Sequence, residues 1–370
     1  MAATGKKRVL IVDDAVVVRR VLSDAVAADP ALEVAGTASN GRLALAKFPS
    51  LKPDIVLLDI EMPEMDGLET VRELRKIDAH IPIIMFSTLT EHGAAVTLEA
   101  LAAGATDFVA KPSNADMERT KTAVSGDLMP KIRALCGLPE PFPTLPDKPP
   151  PLAALPAPLP PRAAARVVPR RPALAAQIVA IGVSTGGPDA LARVIPALPA
   201  SLPVPVVIVQ HMPPIFTTML AKRLSQSSPL PVRECKSGEE LVPGCAYLAP
   251  GDYHMVIDNT NGVARLKTNQ GPKENFCRPS VDVLFRSVAE AFGGRTLAVV
   301  LTGMGHDGLS GSEILHQQGA QILVQDEATS VVWGMPGFVA RAGLADKILP
   351  LDLIGPEIVR ATAGKLAARF

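Results

Sequence analysis

Aromatic side chains are scarce in this chain, at 4 % of its 370 residues. Any packed core must therefore be built from Ala, Val, Leu and Ile, which the 48 % hydrophobic fraction supplies amply. Cysteine is scarce too. Cys136, Cys235, Cys245 and Cys277 form no C-x-x-C pair and read as free thiols in a reducing compartment. No H-x-x-x-H or Cys/His set exists, which argues against a metallohydrolase. Nor is there an excess of one charge. Lys plus Arg and Asp plus Glu both total 37, and a net charge of zero removes the electrostatic case for nucleic acid or an anionic membrane surface. No apolar run approaches the roughly 18 residues of a spanning helix. Lys6-Lys7-Arg8 leads straight into a strand-like run, with no signal-peptide hydrophobic region. The expectation is a cytoplasmic protein, with no nucleic-acid partner and no direct insertion into a membrane.

Proline, by contrast, is concentrated. Residues 139–172 hold 13 of the chain's 36 prolines, followed or interleaved by Arg162, Arg166, Arg170 and Arg171. Such a segment cannot form a core and reads as a linker, spanning on the order of 100 Å if extended at about 3.1 Å per residue. The length also exceeds what one ordinary core serves, so two domains are expected. The boundaries fall at 7–125 for the first, 126–174 for the linker (Pro-rich from 139) and 175–370 for the second. Both units alternate strand and helix patterns, which predicts parallel α/β sheets. Strands are expected at Arg8–Val12, Glu33–Ala38, Ile55–Leu58, Ile83–Phe86 and Phe108–Val109, with helices at Ala15–Ala28 and Gly67–Lys76. In the second unit they are expected at Ile178–Ile181, Val206–Gln210, Ala246–Ala249, Leu297–Leu301 and Ile322–Gln325.

In the first unit Asp13 and Asp14 end one strand and Asp59 ends another. Ends of parallel strands lie side by side, so these carboxylates repel unless a cation joins them, and hard oxygen donors suit Mg²⁺. Ser87 and Lys111, at the ends of two further strands, offer a hydroxyl and an ammonium to a phosphoryl group carried by one of the acids. Acids at single strand ends are usually only solvated; the coincidence of the set is what points to a site. Val9–Asp14, Asp59–Gly67, Phe86-Ser87 and Gly104–Pro112 together resemble a response-regulator receiver domain, over about residues 7–125. The resemblance implies a flavodoxin-like five-stranded parallel sheet in the order 2-1-3-4-5, the order for which a receiver is a standard example. It also implies that Asp59 is the phospho-acceptor, that Asp13, Asp14 and Asp59 hold Mg²⁺, that Ser87 and Lys111 sense the phosphoryl group, and that Phe108 is a switch aromatic.

In the second unit Gly182-Val183-Ser184-Thr185-Gly186 follows an apolar run and precedes a helix-like segment, Pro188 to Leu198. A serine on such a strand-to-helix turn can be a nucleophile, although Gly-x-Ser-x-Gly alone often occurs by chance. A nucleophile needs a base and the base an orienting acid. His211 ends the run Val206–Gln210, and Asp307 follows Leu297–Leu301, so all fall at the same kind of strand end. The chain order Ser184, His211, Asp307 differs from that of α/β-hydrolases. The Met304 amide, between Gly303 and Gly305, and the Thr185 amide are candidate oxyanion donors. His254 is a rival base; Asp252, Asp282 and Asp326 are rival acids; His306 reads as a solvated loop residue, and His80, His92 and His316 as surface or helix residues.

These residues, with Gln210-His211-Met212-Pro213, Ala249–Asp252, Arg278–Phe285, Leu301–Gly308 and Gly334–Gly337, resemble the catalytic domain of the chemotaxis methylesterase family, CheB. Receiver, linker and esterase is that family's architecture. The resemblance implies hydrolysis of glutamate γ-methyl esters on chemoreceptors, releasing methanol, and deamidation of receptor glutamines. It implies a triad of Ser184, His211 and Asp307, an oxyanion hole at Met304, a substrate entrance near Arg278–Asp282, no cofactor for the ester chemistry, and a CheA-type histidine kinase as phosphodonor. Val183 stands where the family usually has alanine, and the linker is longer than expected. A monomer is the default. The rivals are the same hydrolase in a non-chemotactic receptor pathway and a non-catalytic receptor-docking adapter.

Overall fold

In the computed structural model residues 5–111, 124–139, 175–259 and 262–363 are described. Of the expected linker, 126–174, residues 140–174 lie outside the described residues. The first unit runs β1 (Lys7–Val12), α1 (Val16–Ala28), β2 (Leu32–Ala38), α2 (Gly41–Leu51), β3 (Ile55–Asp59), α3 (Gly67–Ile77), β4 (Ile83–Thr88), α4 (Glu91–Ala102) and β5 (Asp107–Lys111), with α5 (Met129–Leu135) beyond. Its sheet is wholly parallel in the order β2-β1-β3-β4-β5. β3 is buried at every position, as a central strand covered on both faces must be. Helices α2, α3 and α4 start where short polar side chains satisfy their first amides: Asn40 accepts from Leu43, Asp66 from Glu69, and Thr90 from Gly93.

The second unit runs β6 (Ile178–Val183), α6 (Gly187–Val194), β7 (Val206–Gln210), α7 (Phe216–Ser227), β8 (Val232–Glu234), β9 (Ala246–Leu248), β10 (His254–Asp258), β11 (Arg265–Asn269), α8 (Val281–Phe292), β12 (Thr296–Val300), α9 (Leu309–Gln317), β13 (Gln321–Gln325), α10 (Met335–Arg341), β14 (Lys347–Leu349) and α11 (Leu351–Thr362). Seven of these strands form a parallel sheet, β14-β13-β12-β6-β7-β9-β8, and β10 and β11 form an antiparallel hairpin. The expected helix from Pro188 to Leu198 ends earlier, at Val194, and passes into a 3₁₀ turn, Ile195–Ala197, at the ring of Pro196. β8 and β14 were not expected, because three-residue strands carry almost no periodicity, and neither were the two strands of the hairpin.

β6 lies where the strand order reverses: the chain leaves it first toward β7 and later returns to β12 on its other side. Such a switch point opens a crevice at the carboxyl ends of the strands. The cores are aliphatic, as the scarcity of aromatics required; β6, β7 and β12 are buried throughout. The two units share one apolar cluster. Helix α4 packs on α6 and α7, Phe108 stacks on Phe216 with ring centroids 4.4 Å apart, and Arg223 donates to the Leu98 carbonyl.

Candidate active site

The turn that bears Ser184 is fixed by hydrogen bonds to a loop distant in the chain. The Ser184 amide donates to the Thr302 carbonyl at 3.0 Å, and the Thr302 hydroxyl to the Thr185 carbonyl at 2.9 Å, so β6 and the loop after β12 are tied together. Gly186 caps α6 at φ 75°, a left-handed conformation that a side chain disfavours. Gly303 lies so close that a Cβ there would sit 2.8 Å from the Ser184 Cβ.

Ser184, His211 and Asp307 follow β6, β7 and β12, which are neighbours in the sheet. His211 Nε2 donates to Asp307 Oδ2 at 2.8 Å. Asp307 is 2 % exposed and unusually well held. Its Oδ2 also accepts from the Val281 amide at 2.6 Å. Its Oδ1 accepts from Ser280 Oγ and Asn275 Nδ2, both at 2.8 Å, and from the amides of Asp282 at 3.0 Å and Gly308 at 3.1 Å. Burial alone would raise this carboxyl. The bond from His211, that ring's charge and the Val281 and Asp282 amides overcome burial and hold it well below the ordinary carboxylate range. His211 moves the other way: burial would lower it, but Cys277 and Asp307 raise it. Both shifts favour an ionised Asp307 facing a proton on Nε2.

The Met304 and Thr185 amides donate to no acceptor among the described residues, which leaves them available to an oxyanion. Ser184 Oγ makes no hydrogen bond to His211; Nδ1 of that ring instead faces Cys277 Sγ at 3.5 Å. Nucleophile–base bonds are often loose before substrate binds. The rivals are accounted for. His254 is buried with both nitrogens in use, Nε2 on the Pro272 carbonyl and Nδ1 accepting from the Ser280 amide. Asp252 pairs with Arg278, and Asp326 caps the turn at Thr329. Asp282 is buried one bond away from Asp307, joined to it through Asn275, and burial and the Asp307 charge push it up to about 6. His306 is exposed against the edge of Phe338.

Sequence reasoning missed three participants. Asn275 bridges the two acids. Gln210 Nε2 donates to the Ser184 carbonyl at 2.9 Å and the His211 carbonyl at 3.3 Å, clamping the ends of β6 and β7 together. Cys277 was counted only as a thiol. Gln210 and Cys277 stand beside His211 and Arg278 in the motifs quoted, which was the only available signal.

In the first unit Asp13, Asp14 and Asp59 place carboxylate oxygens within 4.8 Å of one another. Lys111 Nζ reaches Asp13 at 2.8 Å and Asp59 at 2.7 Å. Burial pushes Asp59 up to about 6 despite that ammonium, and Asp13 adds to the rise. Among the described residues Lys111 alone forms ion pairs with these three carboxylates, which leaves negative charge in excess, a donor set that fits a hard divalent ion. A cavity of about 360 Å³, lined by Asp14, Glu61, Asp66 and His92 among others, opens beside them. Ser87 Oγ, fully buried, donates to the Gly93 carbonyl at 3.3 Å and accepts from Thr97 Oγ1 at 2.8 Å, tying the end of β4 to α4.

The fold and both sites define a class: a receiver joined to an α/β serine hydrolase. The chain matches the family model described as CheB methylesterase over residues 179–358 and that of the response regulator receiver domain over residues 9–123. It is 47 % identical over 356 residues to a protein-glutamate methylesterase/protein-glutamine glutaminase of Trichodesmium erythraeum, spanning 96 % of this chain and 99 % of that one. It is 49 % identical over 359 residues to a protein of the same name from Nocardioides sp., spanning 96 % and 95 %. Among solved structures it is similar to the Thermotoga maritima CheB methylesterase catalytic domain, at 43 % identity, 50 % of this chain, 99 % of that chain and a TM-score of 0.49. The chain belongs to the CheB methylesterase family.

Proposed function

We propose that this protein is a phosphorylation-controlled serine hydrolase that removes methyl groups from glutamate γ-methyl esters of chemoreceptor cytoplasmic domains and deamidates glutamines there. The observation that carries the chemistry is the 2.8 Å His211–Asp307 bond at the ends of strands flanking the one that bears Ser184. Ser184 Oγ attacks the ester carbonyl while His211 Nδ1, the nitrogen not bound to Asp307, takes its proton. The oxyanion is met by the amides of Met304 and Thr185. His211 then returns the proton to the leaving methoxide, methanol departs, and water cleaves the acyl-enzyme by the reverse proton path. With a glutamine the leaving group is ammonia. A methyl ester needs no deep pocket, which suits a site at a sheet edge that reads a helix of its substrate.

In the receiver, Asp13, Asp14 and Asp59 would hold Mg²⁺, which supplies charge neutralisation for phosphoryl transfer. Asp59 accepts the phosphoryl group from a kinase phosphohistidine of the CheA type, and Lys111 pairs with the added charge. For Ser87 to turn toward a phosphoryl oxygen it must leave Gly93 and Thr97, and so loosen α4. That helix rests on α6 and α7, which follow Ser184 and His211 directly. Receiver, linker and catalytic domain are assigned to 7–125, 126–174 and 175–370.

Methanol release from methylated receptor membranes tests the assignment, with Ser184→Ala as the blank. Loss of turnover by up to about 10⁶-fold is expected in that variant. Turnover that survives the substitution would point to another nucleophile.

A further inference from the structure

His211 has two ring nitrogens and both are engaged. Nε2 donates to Asp307 at 2.8 Å, and Nδ1 faces Cys277 Sγ at 3.5 Å. Nδ1 is the only nitrogen left to receive the serine's proton, and a thiol is already on it. We propose that Cys277 is a positioning residue for the base: its S–H holds Nδ1 of His211 in the resting site and must yield that nitrogen to Ser184 before an ester is attacked. The proposal rests on the triad assignment above.

The placement of the thiol is built in. Glu274 and Cys277 exchange backbone hydrogen bonds of 3.1 and 2.9 Å, closing a tight turn. Both central residues of the turn, Asn275 at φ 51° and Phe276 at φ 63°, are left-handed. For a phenylalanine this is a conformation that surrounding structure must enforce. The enforcement is visible: Glu274 is locked to Arg286 of α8 by contacts of 2.5 and 2.6 Å, and Asn275 is held between Asp282 and Asp307. One turn therefore grips both partners of the Asp–His pair, Asn275 on Asp307 and Cys277 on His211.

The chemistry follows from proton affinity. The proton shared between Cys277 Sγ and His211 Nδ1 can sit on either atom with no change of oxidation state, and on the nitrogen it leaves an imidazolium. The imidazolium has no lone pair for Ser184, so this pair is an idle form of the base. Cys277 and Asp307 both raise the His211 pKa, as such pairing requires. The other charged groups around the ring are already matched. The Asp282 carboxylate is joined to that of Asp307 through the Asn275 amide, Arg286 is bound by Glu274, Arg278 by Asp252, and His254 has both nitrogens committed.

The test uses the full-length protein and two readouts. In Cys277→Ala the acid limb of the kcat/KM–pH profile should move to lower pH by at least about half a unit, because the sulfur that raises His211 is gone. Cys277→Ser keeps a hydroxyl of similar shape that does not ionise in this range, and should move the limb the same way, which separates proton competition from a packing defect. The second readout needs no turnover. In the Ser184→Ala background iodoacetamide forms a C–S bond at Cys277, iodide leaves, and the thiol proton stays on His211 before passing to water. Adding His211→Gln should slow this labelling, followed by peptide mass, by about tenfold or more. Superimposable pH profiles in all three proteins would overturn the proposal, as would labelling indifferent to His211. Failure of the triad assignment would look different, as turnover surviving in Ser184→Ala itself.

Discussion

At the scale of single residues, the receiver holds a carboxylate at a thermodynamic disadvantage. Asp59 is 4 % exposed and raised to about 6, first by burial and then by Asp13, with Lys111 only partly offsetting both. The folded pKa lies above the unfolded one, so the contribution of this group to stability is present below the ordinary carboxylate range and is lost as pH rises through about 6. Asp59→Asn should therefore stabilise the metal-free protein at pH 8, by about 1–3 kcal/mol. The gain should fade as pH drops toward about 4, where wild-type Asp59 is itself neutral. Thermal unfolding of the two proteins across that range checks it. Mg²⁺ should raise the melting temperature of wild type more than that of the variant, since one carboxylate ligand is gone.

At the scale of elements, the short turn at 274–277 matters more to the site than its length suggests. Asn275 occupies a left-handed position and places one amide group between two buried acids. Asn275→Gly retains the backbone conformation and deletes the amide. It should cost about 1–3 kcal/mol in the esterase unit, because two buried carboxylates lose a shared donor. It should also lower kcat more than it raises KM, because in the proposed triad Asp307 orients the base rather than the substrate. Urea unfolding and steady-state methanol release measure the two effects. Neither the turn nor its role was legible beforehand. The string Glu274-Asn275-Phe276-Cys277 has no glycine to mark left-handed geometry, and asparagine is only a weak signal for it.

At the scale of the molecule, the two units meet where signalling requires them to. Phe108 of the receiver stacks on Phe216, at the start of the helix that follows His211. Ser87 links the end of β4 to α4, and α4 lies on the helices that follow Ser184 and His211. Phe108→Ala should weaken this packing. The expected outcome is a severalfold higher basal methanol release and a smaller ratio of rates with and without a small-molecule phosphodonor and Mg²⁺. A stimulation ratio unchanged from wild type would dissociate this contact from control.

Much was decided by sequence alone, where the chemistry is local. Strand ends carrying Asp13, Asp59, Ser184 and His211 follow from apolar runs that stop at a polar residue, and the receiver's strand order followed once its motifs were recognised. Tertiary structure decided what depends on neighbours distant in the chain. β12 pairs with β6 across more than a hundred residues, and only that pairing brings Asp307 to His211. The amides of Val281 and Asp282 become ligands of a carboxylate because the start of α8 abuts the loop after β12. Cys277, an unremarkable thiol in the string, becomes a partner of the base because a turn pinned by Arg286 sets it there. A hydrogen bond is decided by position in space to within a few tenths of an ångström, and local residue patterns specify the backbone only along the chain.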